Sequence, residues 1–382
     1  MIDAALAGLG ITDMGKVYGR DQTDFAAEAV LLALADAGLR KDQLDGLLVN
    51  VPGYALEGGG GVGLQRYLGI DELKLAGNMN SGGATAGSMV QYAAMAIATG
   101  TCRRVACVFA DAPLKPAIGS HQAYRFTEQS WQALQGRLSP AFDYAMAARR
   151  HMHLYGTTSE QLGAIAVATR AWACLNPCAQ MRTPLTLEEH QASRWIIEPL
   201  HLLDCCLVSN GGVAVIVTSA EEATDLRQPR VRVLGTGQAH FGHRTSADDV
   251  FLDRTPAAAS GAAALRMAGV GLADLDVLEL YDAFTWVVLS QLEDYGFCAK
   301  GEGGAFVADG KLGPAGHLPT NTGGGQLSGW YMWGFTPLAE AIIQLRGQGE
   351  ARQVAQAELA LVSGSGGDPP AFHSTLILGR DA

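Results

Sequence analysis

Charge is scarce in this chain. Asp, Glu, Lys and Arg together make only 17% of its 382 residues. So small a charged set leaves much surface to be covered by something else. Exposed apolar surface tends to mark interfaces, so the sequence predicts a partner chain. Basic residues are fewer still than acidic ones, 27 against 38, for a net charge of −11. No basic stripe of the kind nucleic acid requires is present. No run approaches the ~18 apolar residues of a membrane span. The first residues lack the basic region, apolar core and cleavage site of a signal peptide. Seven cysteines, an odd number in a chain this long, fit free thiols in a reducing compartment rather than a disulfide framework. The expectation is a cytoplasmic protein that binds neither nucleic acid nor membrane.

Glycine, by contrast, is abundant: 48 of 382 residues, nearly twice the usual ~7%. There is no collagen period, and 48% of the chain is hydrophobic, which excludes a fibre or a disordered chain. The glycines must sit in a packed fold, at tight turns or where backbones approach closely. At 382 residues the length suits two or three domains, or one doubled unit.

A doubled unit is written in the sequence. ADAGLRKDQLDGLLVN (35–50) lies without gaps on RMAGVGLADLDVLELY (266–281) at an offset of 231. Ala37 and Gly38 fall on Ala268 and Gly269, Leu44 and Asp45 on Leu275 and Asp276, and Asn50 on Tyr281. Upstream, a helix follows Thr23 as N-cap, with Phe25, Ala29, Leu32 and Asp36 on one face and Gly38 near its end. Leu47–Val49 reads as a buried strand. A second unit repeats more loosely. NSGGATAGSM (80–89) leads into an Ala-rich helix (90–98) and the strand VACVFA (105–110). NTGGGQLSGWYMWG (321–334) leads into a helix (337–346) and the strand LALVSG (359–364). Helices alternating with buried strands predict an α/β fold with largely parallel pairing. The halves divide as 1–230 and 231–382, the first carrying a loop insertion at about 115–205 that caps one face.

These blocks resemble the thiolase superfamily, in its sterol-carrier-protein-x type. The likeness rests on ATRAWACLNPCAQMRTP (168–184), PLHLLDCCLVSNGGVAVIVTS (199–219), YDAF (281–284), GEGGAF (301–306), NTGGGQLSGWYMWG (321–334), QLRG (344–347) and SGSGGD (363–368), in the family's order and spacing. It implies a duplicated five-layer α/β/α/β/α fold, usually dimeric. A thiolase of this type carries four catalytic positions, and all four are changed here. The nucleophilic cysteine, at a helix N-terminus that favours the thiolate, falls on Ala84, and no cysteine occurs before Cys102. The histidine of the HDCF-like motif is Tyr281. The histidine that activates the nucleophile is Tyr331. The acid/base cysteine is Ser363. Random decay would not place tyrosine at both histidine positions while keeping the glycine loops around them.

Without a cysteine, covalent acyl transfer through that position is excluded. Proton transfer and enolate stabilisation remain, and retro-aldol cleavage needs only these. The pattern resembles the lipid-transfer-protein-like branch, the side-chain-cleaving aldolases of steroid degradation. That resemblance implies cleavage of a β-hydroxyacyl-CoA, on a steroid or bile-acid side chain, to a ketone or aldehyde plus propionyl-CoA or acetyl-CoA. Tyr281 and Tyr331 are the acid/base pair. Which is base stays open, with a lean to Tyr331 because it stands at the activating histidine's place. Asp282 orients Tyr281 or bonds backbone amides, and Asn321 shapes its glycine loop or touches substrate. Gly83, Gly324, Gly325 and Gly366 belong to the loops that bring backbone N–H groups to the thioester oxygen. The resemblance further implies a homodimer and a small OB-fold, zinc-ribbon partner subunit. Zinc would belong to that partner; this chain itself would hold neither metal nor cofactor. Two other readings stand beside the lyase: a non-catalytic acyl-CoA or lipid-binding subunit, and an acyltransferase with another nucleophile.

Other candidate features have plainer readings. Cys174 and Cys178 lack the second ligand pair of a zinc site. Cys205 and Cys206 read as buried thiols. HFGH (240–243) reads as local structure. The glycines 58–61 lack the context of a nucleotide loop. Trp286, Trp330 and Trp333 line either an apolar surface or the core.

Overall fold

The computed structural model describes residues 3–50, 60–116, 134, 136, 139–242, 254–367 and 370–380. Eleven strands are seen among them: β1 (Ala5–Ile11), β2 (Gly46–Asn50), β3 (Leu75–Asn78), β4 (Val105–Asp111), β5 (Trp195–Ile197), β6 (Leu200–His201), β7 (Gly211–Thr218), β8 (Val231–His240), β9 (Val277–Glu279), β10 (Leu359–Gly366) and β11 (Phe372–Arg380). Nine form one sheet in the order β3-β2-β4-β7-β1-β8-β11-β10-β9. That order mirrors itself about the β1–β8 junction, where only Ala5↔Arg232 and Leu6↔Val231 pair. β8 answers β1, β11 answers β7, β10 answers β4 and β9 answers β2. Even the β2–β3 pairing has its counterpart, a parallel bridge between Leu278 and Thr320.

Parallel pairing is confined to the outer strands, β3–β2–β4 and β10–β9. The middle of the sheet is antiparallel. The expectation of largely parallel pairing is therefore corrected: the sheet is mixed. In each half the last strand (β7, β11) returns against its neighbour, and the periodicity of a fully buried strand carries no direction.

The repeated unit stands where the 231-residue offset puts it. The helices Gln22–Ala37 and Ala257–Ala268 end on Gly38 (φ 75°) and Gly269 (φ 72°), both left-handed, as a C-terminal glycine allows. Matching short turns at Lys41–Gln43 and Leu272–Asp274 lead into β2 and β9. The glycine excess finds one clear use here. A methyl group on Gly8 or Gly10 would stand 2.2 or 2.1 Å from the carbonyl oxygens of Ala33 and Ala29. On Gly235 or Gly237 it would stand 2.1 or 2.0 Å from those of Ala264 and Ser260. Each outer helix thus lies directly on its strand, a contact only glycine permits. This also corrects the helix face. Phe25, Ala29 and Ala33 are buried, whereas Leu32 is 40% exposed, because small residues are what the close contact demands. The N-cap is Asp21 rather than Thr23. Its carboxylate accepts the N–H groups of Thr23 and Asp24, and Asp24 caps Asp21 in return.

The helices Thr85–Ala98 and Phe335–Leu345 begin earlier than their apolar runs suggest. They touch strands of both halves and each other, so they form the central layer of an α/β/α/β/α arrangement. One core gathers their residues with β4, β7, β8 and β10. From the insertion, the helices Pro140–Tyr155 and Ser159–Ala173 pack on the second half through Tyr144, Ala148, Leu162 and Ile165. Trp286 and Trp330 lie in the cores, and half-buried Trp333 packs against them.

Candidate active site

Four chain segments converge at one end of the central layer. Tyr281 follows β9 and precedes the helix Thr285–Tyr295. Tyr331 follows a turn at Gly325–Gly329 and precedes the helix Phe335–Leu345. Ala84 stands at the N-terminus of the helix Thr85–Ala98, and Ser363 lies within β10. The hydroxyl oxygens of Tyr281 and Tyr331 are 3.2 Å apart. Both rings are buried, at 4% and 9% exposure.

Gly83 lies flat against the Tyr281 ring: a methyl group there would stand 2.1 Å from Tyr281 Cε2 and 2.3 Å from the Ser365 carbonyl. One on Gly366 would stand 2.2 Å from the Ser81 carbonyl. The loop at 81–84, the end of β10 and Tyr281 are therefore in direct contact. The structure brings Ala84, Gly83, Ser363, Gly366, Tyr281 and Tyr331 into one neighbourhood.

The loop of Asn321, Gly324 and Gly325 is built from within. Asn321, with φ of 55°, accepts the Leu280 N–H on Oδ1 at 2.7 Å. It shapes the strand end beside Tyr281. Its neighbour Thr322 donates to the buried Glu279, which burial and the nearby Glu340 hold well above the usual carboxylate range. Glu340 in turn receives Nε and Nη2 of Arg352.

The Asp282 carboxylate accepts the N–H groups of Gln326 at 2.8 Å and Leu327 at 3.3 Å. Of its two expected roles, it takes the bonding of backbone amides. Burial raises it to about 7, against the lowering effect of those amides and of Asn321. Gly325, with φ of 51°, allows this approach, since a methyl there would stand 2.0 Å from Asp282 Oδ2. The turn so anchored is wide: Gly329 N–H reaches Gly324 O and Trp330 N–H reaches Gly325 O, each five residues back. Such π turns are frequent at functional sites. Here the turn delivers Tyr331.

Sequence reasoning missed the residues that hold these parts. Ser209 accepts the Tyr331 N–H at 3.0 Å and is held by Gln180. Arg170, 5% exposed, donates to Ser328 in the turn, and Asn176 donates to the Gly323 carbonyl. These side chains lie in the blocks 168–184 and 199–219, so the blocks that carry the resemblance contained the signal. Gln291 and His373 lie in no such block. Gln291 donates to the Tyr281 carbonyl at 2.8 Å, and His373 contacts Gln291.

The arrangement favours proton transfer over covalent chemistry. Ser363 accepts the Tyr281 N–H and donates its own proton to Gln291 Oε1, so its hydroxyl is committed. Cys205 and Cys206 are half-buried beside this site, where Cys206 N–H donates to Ala283 O. Burial pushes both thiols up, helped by Cys206 and Asp204 at Cys205 and by Asp282 at Cys206, the reverse of an activated nucleophile. Cys174 is half-buried and Cys178 exposed. Among the described residues, no group of three or more His, Cys, Asp or Glu gathers to hold a metal ion. No helix among them is long and apolar enough to cross a membrane. His243 and the glycines 58 and 59 lie outside the described residues.

Residues 237–380 match the thiolase C-terminal-domain-like family. The steroid side-chain-cleaving aldolase of Thermomonospora curvata is 40% identical over 391 aligned positions, covering 99% of this chain and 98% of the relative. The 17-hydroxy-3-oxo-4-pregnene-20-carboxyl-CoA lyase of Mycobacterium tuberculosis is 40% identical, covering 98% of this chain and 99% of its own. Among solved structures, the Ltp2-ChsH2(DUF35) aldolase superposes with a TM-score of 0.88 at 39% identity, over 100% of this chain and 98% of the other. The chain belongs to the thiolase superfamily, in the branch of the steroid side-chain-cleaving aldolases, which are carbon–carbon lyases.

Proposed function

We propose that the chain is a retro-aldolase that cleaves a β-hydroxyacyl-CoA carrying a steroid or bile-acid side chain. One tyrosine, Tyr331 in our assignment, acts as its phenolate and takes the proton of the β-hydroxyl, becoming the neutral phenol. The oxygen's electron pair forms the carbonyl of a ketone or aldehyde as the Cα–Cβ bond breaks. The bonding pair passes to the thioester as an enolate. Tyr281 then protonates the enolate carbon, propionyl-CoA or acetyl-CoA leaves, and the Tyr281 phenolate takes the proton held by Tyr331 through their shared hydrogen bond, which restores the starting state. Backbone N–H groups of the glycine loops steady the negative oxygen meanwhile.

The observation that carries this reading is the pair of hydroxyls 3.2 Å apart, at two catalytic positions of the fold, with alanine and a committed serine at the other two. Two hydroxyls in a shared hydrogen bond can pass a proton with little movement. A phenolate, whose phenol is ordinarily near pKa ~10, matches an alcohol better as a base than a carboxylate does. The committed Ser363 proton and the raised thiols argue against an acyltransferase with another nucleophile.

The relative named Ltp2-ChsH2(DUF35) supports a small partner subunit, which we take to be an OB-fold, zinc-ribbon protein holding any zinc of the assembly. A homodimer core and a cytoplasmic location complete the proposal. The test is to mix the purified chain, alone and with such a partner, with a steroid β-hydroxyacyl-CoA. Release of a short acyl-CoA and a ketone, with no acyl adduct on the intact protein, is the expected result. Tight binding without turnover under both conditions would overturn it.

A further inference from the structure

Behind Tyr281 lies a set of buried polar side chains that the proton transfers above do not use. Ser363 and Gln291 are each 1% exposed, and His373 is fully buried. The Tyr281 N–H donates to Ser363 Oγ at 2.8 Å. Ser363 Oγ–H donates to Gln291 Oε1. Gln291 Nε2 donates back to the Tyr281 carbonyl at 2.8 Å and to the Val287 carbonyl at 2.9 Å. The ring closes on a single residue: both polar atoms of the Tyr281 backbone are held by the same two side chains.

The direction of each bond follows from what each atom can do. Two carbonyls face one end of the Gln291 amide, so that end is the NH2 group. The other end is the oxygen, and it accepts from Ser363 and from His373 Nε2 at 3.3 Å. An amide oxygen only accepts, so this contact puts the His373 proton on Nε2, and Nδ1 then shares the single proton of the Ser260 hydroxyl, 2.8 Å away, with the Ala257 carbonyl at 3.1 Å. Burial keeps the imidazole neutral, its pKa lowered to about 3, so this tautomer persists at working pH. Gly83 fills the space beside the Tyr281 ring. With backbone and ring both fixed, the phenol has one direction to point.

We propose that Gln291 and Ser363 are a positioning pair for Tyr281. On this view Ser363, at the place of a thiolase acid/base cysteine, has become scaffold. His373 and Ser260 stand behind the pair and fix its orientation. The inference rests on the retro-aldolase reading for its kinetic consequence, and on geometry alone for its structural one.

Both are tested in Ser363→Ala, Ser363→Thr, Gln291→Met, Gln291→Glu and the double variant Ser363→Ala/Gln291→Met. Crystal structures of the single variants give the Tyr281–Tyr331 hydroxyl separation. Steady-state release of the short acyl-CoA gives kcat and KM. Ser363→Ala and Gln291→Met are expected to break the 3.2 Å contact and to lower kcat by ~10- to 100-fold, the scale of a small misplacement of a reacting group. KM should stay within about twofold, because binding is not what the pair serves. Ser363→Thr, which keeps the hydroxyl, should recover most of kcat. The double variant should be no worse than the poorer single one, since the two residues form one clamp. Should Gln291→Met fail to fold, Gln291→Glu takes its place: it keeps the shape and loses the donor to the Tyr281 carbonyl, so kcat must fall. An unmoved Tyr281 hydroxyl in the variants, or full kcat in Ser363→Ala and in Gln291→Glu, overturns the proposal. A wild-type chain that cleaves nothing, with Tyr281 displaced in the variants, would sink the aldolase reading and leave the positioning pair standing.

Discussion

The hydroxyls of Tyr281 and Tyr331 meet at 3.2 Å across fifty residues of sequence. Each is expected to carry one proton of the cleavage, so neither should be replaceable. Tyr281→Phe and Tyr331→Phe should each lower kcat by ~10²- to 10⁴-fold, the usual worth of a general acid or base. KM should change little, because only a hydroxyl is removed. Measuring acyl-CoA release from a β-hydroxyacyl-CoA decides the matter. Full activity in both variants would show that the proton transfers lie elsewhere.

Gly83 supports the same tyrosine through space. In Gly83→Ala the new methyl would stand 2.1 Å from the Tyr281 ring and 2.3 Å from the Ser365 carbonyl, closer than any real contact. Either the ring or the 81–84 loop must move. Activity should fall well beyond the ~1–3 kcal/mol that overpacking costs in stability. Gly242→Ala is the control, since a methyl there meets nothing within 4 Å among the described residues, and it should leave both Tm and kcat unchanged. Equal effects from the two substitutions would contradict the role given to Gly83.

Asp282 makes stability depend on pH in an unusual direction. Burial lifts its carboxyl from 3.8 to about 7. The folded state therefore holds the proton more firmly than the unfolded chain. The resulting stability is fully present below 3.8 and is lost as pH rises through 7. The displacement corresponds to ~4 kcal/mol in the limit of no compensation. Asp282→Asn keeps an oxygen for the Gln326 N–H and cannot ionise. Relative to this variant, the wild-type protein should lose thermal stability between pH 5 and pH 8. A difference in Tm that stays flat over that range would mean that Asp282 ionises freely.

The halves of the fold were readable because they are written twice: the offset of 231 predicts Gly269 as the counterpart of Gly38 and β9 as the counterpart of β2. The antiparallel middle of the sheet was not readable. β7 and β11 are buried on both faces, and an apolar run such as GGVAVIVT has no arrow. The capping box at Asp21–Asp24 was present as DQTD, and the choice of Thr23 overlooked the carboxylate two residues earlier. At the site, Tyr281 and Tyr331 were readable as occupants of motif positions. Their meeting was not, because it depends on a π turn that Asp282 anchors from below. Gln291 and His373 were hidden for a simpler reason. A lone polar residue in an apolar helix or strand gives no sign of which backbone atoms it will hold.

The GEGGAF loop offers a test of opposite sign to that of Asp282. Glu293, 5% exposed, accepts the N–H of Gly301 at 3.1 Å and of Gly303 at 2.9 Å. It also faces His151 Nε2 at 3.0 Å and Lys300 Nζ at 3.2 Å. Burial alone would raise its carboxyl. His151, Lys300 and the Gly303 amide together outweigh burial and hold it below 4.5. A depressed carboxyl contributes stability that is present above the unfolded pKa and lost as pH falls through the folded one. Glu293→Gln removes the charge and keeps the shape. At pH 7 the variant should melt below the wild type, and the gap should narrow as pH falls from 5 towards 3. The gap for Asp282→Asn moves the other way, so melting curves of the two variants across pH separate a carboxylate held by partners from one merely enclosed. A Glu293→Gln gap that widened in acid would mean that the loop is held by the carboxylic acid and not by its anion.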